Sequence, residues 1–316
     1  MEALRKLARL LSLDEGKPGR RPQDDQQQQR RQQQQQERQE AKARAQAAAA
    51  GQPRPPPPKG PCGCVAALPQ GGAVHPLPLA SALRKGCPPW NSKNNPDLSC
   101  VQLIPGQDVL HVRYPAGSST PSSGRRGGVL LRGLAAGLPA TDALLQFDFR
   151  TDPGFDWTRG GKLGGGLQIG HGAASGYKHS TTAASARLTW AANGALHLYV
   201  YPMEGTQQDP SYASVCKLGA GCGDSMFPGT FKVDRGVWNR VQIRVRLNRP
   251  GCADGIAGLG VNGHYREFDR MVWRNEPGTR ITEAMLLTFF GGSWSTPIDT
   301  WIDFANFSLT VLERGL

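Results

Sequence analysis

Beyond residue 100, several short segments alternate apolar and polar residues with a period of two. They are Leu145–Arg150 (LQFDFR), Ser185–Trp190 (SARLTW), Ala195–Tyr201 (ALHLYVY), Val241–Leu247 (VQIRVRL) and Trp301–Leu309 (WIDFANFSL). Successive side chains of a strand point to opposite faces, so this alternation marks half-buried β-strands, and the β-branched and aromatic content agrees. Gly, Pro and Asn turns separate the segments, and no long stretch carries helical periodicity. Many short strands joined by such loops fold as a sandwich, a jelly roll or a barrel. No repeat of fixed period is present, which counts against a propeller or solenoid. The expected fold class is all-β.

Residues 1–60 read differently. Positions 26–36 are QQQQRRQQQQQ, positions 41–50 are mostly alanine, and positions 53–58 are PRPPPP. Such a stretch has too little apolar surface to offset its ordering entropy, so a disordered or partly helical low-complexity tail is expected, followed by one domain over 61–316. The net charge is +12. Residues 1–60 hold 13 Lys/Arg against 7 Asp/Glu, and residues 61–316 hold 24 against 18, so each part carries +6. A basic surface favours polyanionic partners: nucleic acid, an anionic membrane or an acidic polysaccharide.

The cysteines are Cys62, Cys64, Cys87, Cys100, Cys216, Cys222 and Cys252, with no CxxC pair and no His/Cys cluster at zinc spacing. A structural metal is therefore not expected. Cys87/Cys100 and Cys216/Cys222 each bracket a loop rich in Gly, Pro, Asn or Asp, where a local disulfide is expected. The N-terminal MEALRKLARLLSLDEG has its leucines at helical spacing but interrupted by Arg5, Lys6 and Arg9, so it lacks the unbroken apolar run of a signal peptide. No run reaches the ~20 apolar residues of a membrane span.

The chemistry concentrates in one pair of strands. In the second, His197, Tyr199 and Tyr201 face away from Leu196, Leu198 and Val200; in the first, Ser185, Arg187 and Thr189 face away from Ala186, Leu188 and Trp190. A solvated outer surface would also accept such residues. Register decides which of them meet. A two-residue turn at Asn193-Gly194 would pair Arg187 with Val200 and mismatch the faces. A connection of odd length, such as 192–194, pairs Arg187 with Tyr199 and Ser185 with Tyr201, and is expected despite the Asn-Gly hairpin signal. Gln242, Arg244 and Arg246 also share a face, either on an outer sheet or as an electropositive part of a cleft. The segment GGGLQIGHG (164–172) lacks the Lys-Ser/Thr of a phosphate loop.

RGGKLGGGLQIG (159–170), SARLTWAANGALHLYVYP (185–202) and FFGGSWSTPIDTWIDFANFSL (289–309) resemble polysaccharide lyase family 14, the alginate and glucuronate-polymer lyases of algal viruses and marine molluscs. A related glucuronan lyase family has similar motifs. The resemblance spans about residues 100–312 and is most specific in Ser-x-Arg followed by Tyr-x-Tyr. It implies a β-jelly roll whose concave sheet binds an acidic polysaccharide. Lys162, Ser185, Arg187, Tyr199 and Tyr201 stand at the family's active-site positions, and His179, upstream in the same region, is a candidate to line the cleft. Strand phase, not the resemblance, adds His197, which shares the tyrosine face or serves as a structural histidine, and Arg244 as substrate-binding candidates. The resemblance also implies an extracellular setting, although no signal peptide is apparent. The family's usual Gly-Gly-Lys-Leu-Pro-Gly-Leu is replaced here by a glycine run after Leu163, which should loosen the backbone around Lys162.

β-Elimination suits these residue types. The C5 proton of a uronate is acidic only if charge building on the carboxylate is stabilised, as Lys162 and Arg187 can do. A base takes that proton and an acid protonates the departing oxygen. Tyr199 and Tyr201 can serve jointly once nearby cations lower their pKa, with Ser185 holding the carboxylate. No metal or organic cofactor is required. Hydrolysis would need two positioned carboxylates, which this face is expected to lack. The competing readings are a lectin-like jelly roll without activity and a nucleic-acid-binding protein, the latter disfavoured because no RNA-binding motif is present.

Overall fold

The computed structural model describes residues 67–315 apart from 84–88, 92–97, 121–122, 134, 173, 177, 220–221 and 292–293. The expectations for residues 1–60, and for Cys62, Cys64 and Cys87, lie outside these residues. The chain forms β1 (Ala73–Pro76), β2 (Trp90–Asn91), β3 (Val101–Leu103), β4 (Val109–Tyr114), β5 (Val129–Gly133), β6 (Asp142–Thr151), β7 (Gly161–Gly170), β8 (Ala183–Ala191) and β9 (Ala195–Tyr201). After these come one helix, α1 (Pro210–Val215), and β10 (Cys216–Lys217), β11 (Asp224–Lys232), β12 (Asn239–Arg246), β13 (Gly255–Val261), β14 (His264–Met271), β15 (Ile281–Phe290) and β16 (Thr300–Glu313).

Two antiparallel sheets stack as a jelly-roll sandwich. The first runs β14-β13-β12-β6-β16-β4-β3, with β1 added on β16; the second runs β10-β11-β9-β8-β7-β15-β5-β2. The alternation seen in sequence fills the space between them. Leu145, Phe147 and Phe149 of β6 and Val241, Ile243 and Val245 of β12 face Leu163 and Leu167 of β7, Ala186, Leu188 and Trp190 of β8, and Leu196, Leu198 and Val200 of β9 in one buried core. Full burial of each such side chain contributes roughly 1.5–3 kcal/mol relative to exposure, so reversing one strand's faces would be prohibitive.

The glycine run after Lys162 is where structure and expectation part. On the β15 side the register is continuous, Lys162 opposite Phe289 through Gly166 opposite Met285. On the β8 side, Lys162 pairs with Thr189 and Gly166 with Arg187, so β7 bulges by two residues. A Cβ on Gly165 would sit 2.3 Å from Phe147 Cε1, and one on Gly166 would sit 2.9 Å from Arg187 Cγ. The glycines therefore tighten this segment: the Phe147 ring and the Arg187 stem occupy the space a side chain would need.

Candidate active site

β8 and β9 are joined by Ala192–Gly194, with Asn193 at φ 63° and Gly194 at φ 75°. This odd-length turn places Ser185 opposite Tyr201, Arg187 opposite Tyr199 and Thr189 opposite His197. Asn193 and Gly194 are suited to these positive φ values, so the Asn-Gly signal marks the turn but not its length. β7 lies on the other side of β8 and brings Lys162 beside Thr189. Lys162 Nζ stands 3.6 Å from the centre of the Tyr199 ring. The Arg187 guanidinium carbon is 6.0 Å from the Tyr201 ring centre, and the two tyrosine rings meet edge to face at 5.4 Å. Lys162, Arg187, Tyr199 and Tyr201 thus converge on the outward face of the second sheet. His179 joins them from the loop before β8, its ring 5.5 Å from that of Tyr201.

Ser185 has a different place from the one expected. It is fully buried, and its Oγ donates to the carbonyl of Ala174 at 2.8 Å. Arg187 Nη2 donates to the same oxygen at 2.9 Å. The hydroxyl proton is committed to this loop, so in this structure Ser185 ties the segment to the sheet. That segment packs Ala174 and Ala183 against Tyr201, leaving Tyr201 and Arg187 only 3% and 4% exposed. Lys162, Tyr199, His179 and His197 remain half-buried.

The electrostatics follow from this layering. Burial, reinforced by Arg187, holds the Lys162 amine well below the ordinary lysine value. The Tyr199 face opposes this, since a cation over an aromatic ring gains up to ~2 kcal/mol when desolvated. Burial and a like charge act together against the ammonium and outweigh the ring's attraction. Burial also lowers Arg187, to about 10, which leaves it cationic at neutral pH. Tyr199 moves opposite to expectation. Burial raises its pKa, a hydrogen bond with Tyr201 raises it further, and the Gly223 N–H donating to it only partly offsets this. It keeps its proton, because desolvation of the phenolate outweighs the nearby cations. Burial, then Lys217, keeps His197 low.

Arg244 does not belong to this site. β12 lies in the first sheet, where Arg244 faces outward and binds Asp142 through Nε (3.2 Å) and Nη2 (2.9 Å), and Glu267 through Nη1 (3.3 Å). The neighbouring Arg240–Asp148 and Gln242–Gln146 pairs confirm an outer-sheet ladder. The cysteine bridges are also corrected: Cys100 and Cys216 are free thiols, so neither expected bridge forms. The Cys100 Sγ is 3.7 Å from the Arg126 carbonyl. Cys216 is buried against Tyr212, whereas Cys222 lies close enough to Lys162 and Tyr199 to influence both, so the two thiols occupy different surroundings. Among the described residues no cluster of three or more His, Cys, Asp or Glu could hold a metal ion, and no helix is long and apolar enough to cross a membrane.

Two residues on the face escaped the sequence reading. Gln168 stands opposite Ser185, is 2% exposed, and has a buried Oε1 without a hydrogen-bond partner among the described residues. Glu283 of β15 lies opposite Gln168 and is bound by Arg132 of β5 at 2.7 Å, so the face does carry a carboxylate, held in an ion pair. The in-phase positions Lys162, Gly166 and Gln168 of β7 were the available signal.

A family model described as Polysaccharide lyase 14 matches residues 104–307. Exolysin of Paramecium bursaria Chlorella virus 1 is 26% identical over 192 residues, covering 53% of this chain and 29% of Exolysin, so the chain spans less than a third of that relative. The alginate lyase vAL-1 from a Chlorella virus superimposes with a TM-score of 0.60 at 32% identity, covering 67% of this chain and 88% of that one. The marine PL-14 alginate lyase of Aplysia kurodai shares the fold, with a TM-score of 0.57 at 24% identity over 64% of this chain and 82% of its own. The chain belongs to polysaccharide lyase family 14.

Proposed function

We propose that the chain cleaves an acidic, uronate-containing polysaccharide by β-elimination on the outward face of the second sheet. The observation that carries this reading is the Lys162 amine poised over the Tyr199 ring, with the Arg187 charge buried beside them. Family membership and the alginate lyases it resembles support the same substrate class.

The environments suggest a division of roles. Arg187 supplies a fixed positive charge toward the uronate carboxylate, which makes the C5 proton removable. Lys162, its ammonium destabilised by burial and Arg187, offers a neutral amine that takes that proton. The C5–H electron pair forms the C4–C5 double bond as the C4–O bond breaks, and Tyr199, which retains its proton, donates it to the departing oxygen. Solvent then removes the proton from Lys162 and restores the one on Tyr199. Glu283 is engaged with Arg132, so among the described residues this face offers no pair of free carboxylates, which supports elimination over hydrolysis.

Incubation with alginate and with polyglucuronate, followed by ultraviolet absorbance of the unsaturated product, tests the proposal. Product is expected from at least one polymer, and its loss in Lys162→Ala and Tyr199→Phe with binding retained. Binding of every polyuronate without product from the unaltered chain would replace the lyase with a carbohydrate-binding module.

A further inference from the structure

The outward face of the first sheet, on the far side of the sandwich, carries a second constellation that the elimination chemistry does not use. A cavity of about 770 Å³ opens at the junction of β4 and β16, lined among others by His111, Arg113, Arg125, Arg126, Asp299 and Trp301. That volume falls in the range of small-ligand sites, and three arginines oppose one aspartate in its lining. Arg113 stands directly across from Trp301 in the β4–β16 register. Asp299 is already engaged, accepting from the Ala116 N–H at 2.6 Å, and Arg113 is held in place by Nη2 donating to the Ser99 carbonyl at 2.8 Å.

A rigid row of planar groups leads away from this cavity. The His111 ring lies 5.4 Å from Trp301, the Arg150 guanidinium is 5.7 Å from Trp301 on its way to Trp238, and it sits 5.0 Å from the Trp238 ring, which is 41% exposed. One carboxylate fixes the row: Asp303, 2% exposed, binds His111 Nδ1 and Arg150 Nη2, both at 2.7 Å. With both partners bound to one buried carboxylate, the imidazole and the guanidinium are presented at fixed positions beside the two tryptophans.

We propose that this face is a second binding site, for a stretch of acidic polysaccharide chain, centred on Trp301, Arg113 and Arg125. The aromatic faces suit the apolar C–H face of a pyranose ring, and the guanidinium groups suit its carboxylates as planar, bidentate donors. The row's length favours a polymer over a single sugar. The assignment rests on the acidic-polymer reading of the chain, and it adds a place where the polymer is held without being cut.

The test uses the full chain. In Lys162→Ala, which stops cleavage on the proposed mechanism, titration calorimetry with a mannuronate hexasaccharide should resolve two classes of site. Adding Arg113→Gln and Arg125→Gln, which keep the side-chain stems, should remove one class. In the active chain the same pair should raise KM for long polymer about tenfold while leaving kcat, and turnover of a trisaccharide, unchanged. Trp301→Ala is the independent check and should act in the same direction. A single class of site, untouched by either change, would overturn the proposal, as would tighter binding of double-stranded DNA than of the hexasaccharide at this face. Absence of unsaturated product from the unaltered chain sinks the elimination chemistry instead, and leaves this binding measurement standing.

Discussion

Gly165→Ala probes whether the glycine run holds Lys162 in place or lets it move. The added Cβ would lie 2.3 Å from Phe147 Cε1, 2.6 Å from Cδ1 and 3.0 Å from Leu145 Cδ2. Carbon atoms at optimal contact are ~3.5–4.0 Å apart, so the ring must retreat by more than ~1 Å. It has little room: Phe147 is fully buried and stacked on Phe307 at 4.8 Å. Overpacking of this kind costs ~1–3 kcal/mol, and the closeness of the clash places it near the upper end. At ~2–4 °C per kcal/mol for a domain this large, Tm should fall by ~6–12 °C in thermal unfolding followed by circular dichroism. Gly278→Ala is the control, because no atom lies within 4 Å of its Cβ and its φ is not positive; it should stay within ~0.5 kcal/mol of the unaltered chain. Phe147→Leu makes room, so the double variant should be more stable than the sum of the single effects by at least ~1 kcal/mol. If Gly165→Ala melts with the unaltered chain, or the two changes add, the glycines are not there to admit the ring.

Lys162→Arg separates base from fixed charge: a guanidinium stays protonated, so polymer binding should survive while cleavage falls ~100-fold or more, and retained cleavage would return Lys162 to a purely electrostatic role. A base must be unprotonated, so kcat/KM should rise with pH on a limb below the ordinary lysine value of ~10.4, while the raised pKa of Tyr199 keeps the falling limb above ~10. Arg244→Ala should leave kcat and KM unchanged but cost ~3 kcal/mol in urea unfolding, because it strands Asp142, which is 7% exposed, while Glu267 keeps the Tyr265 hydroxyl as a donor. In the native chain a maleimide should label Cys222 and slow cleavage while sparing Cys216, which is buried with its thiol pushed up to about 12; equal labelling of both would contradict these surroundings.

The β8–β9 face was legible because its determinants are local. Three residues separate the strands, and matching of two alternating patterns leaves one register. Arg244 shows where the same logic stops. Alternation told which residues it shares a face with, but its sheet is set by pairing with Asp142, 102 positions away, and periodicity carries no record of that. Gln168 and Glu283 met for the same reason, across a β7–β15 pairing distant in sequence. Ser185 could be placed on the right face but not under the Ala174 carbonyl, since a loop's path over a sheet is not periodic. The cysteines failed on direction: spacing brackets a loop, and the side chains then turn into different surroundings.

The glycine run and the two cations form one device. A cation beside a cation is unfavourable, and the sheet places Lys162 and Arg187 close enough for each to matter. Burial and this like charge together disfavour keeping both protons. Arginine starts above ~12 and lysine at ~10.4, so with both buried it is the lysine that yields. Arg187 at about 10 retains the charge a carboxylate needs. This division requires Arg187 to lie close along β7, and the missing side chain at Gly166 permits it, since a Cβ there would meet the Arg187 stem at 2.9 Å. A proline in this segment would also fix φ near −65°, whereas Gly164 sits at +91°. The departure from the family's usual sequence is thus compatible with the proposed chemistry: glycine lets the arginine approach, and burial, reinforced by that arginine, favours the neutral amine that the proposed base role needs.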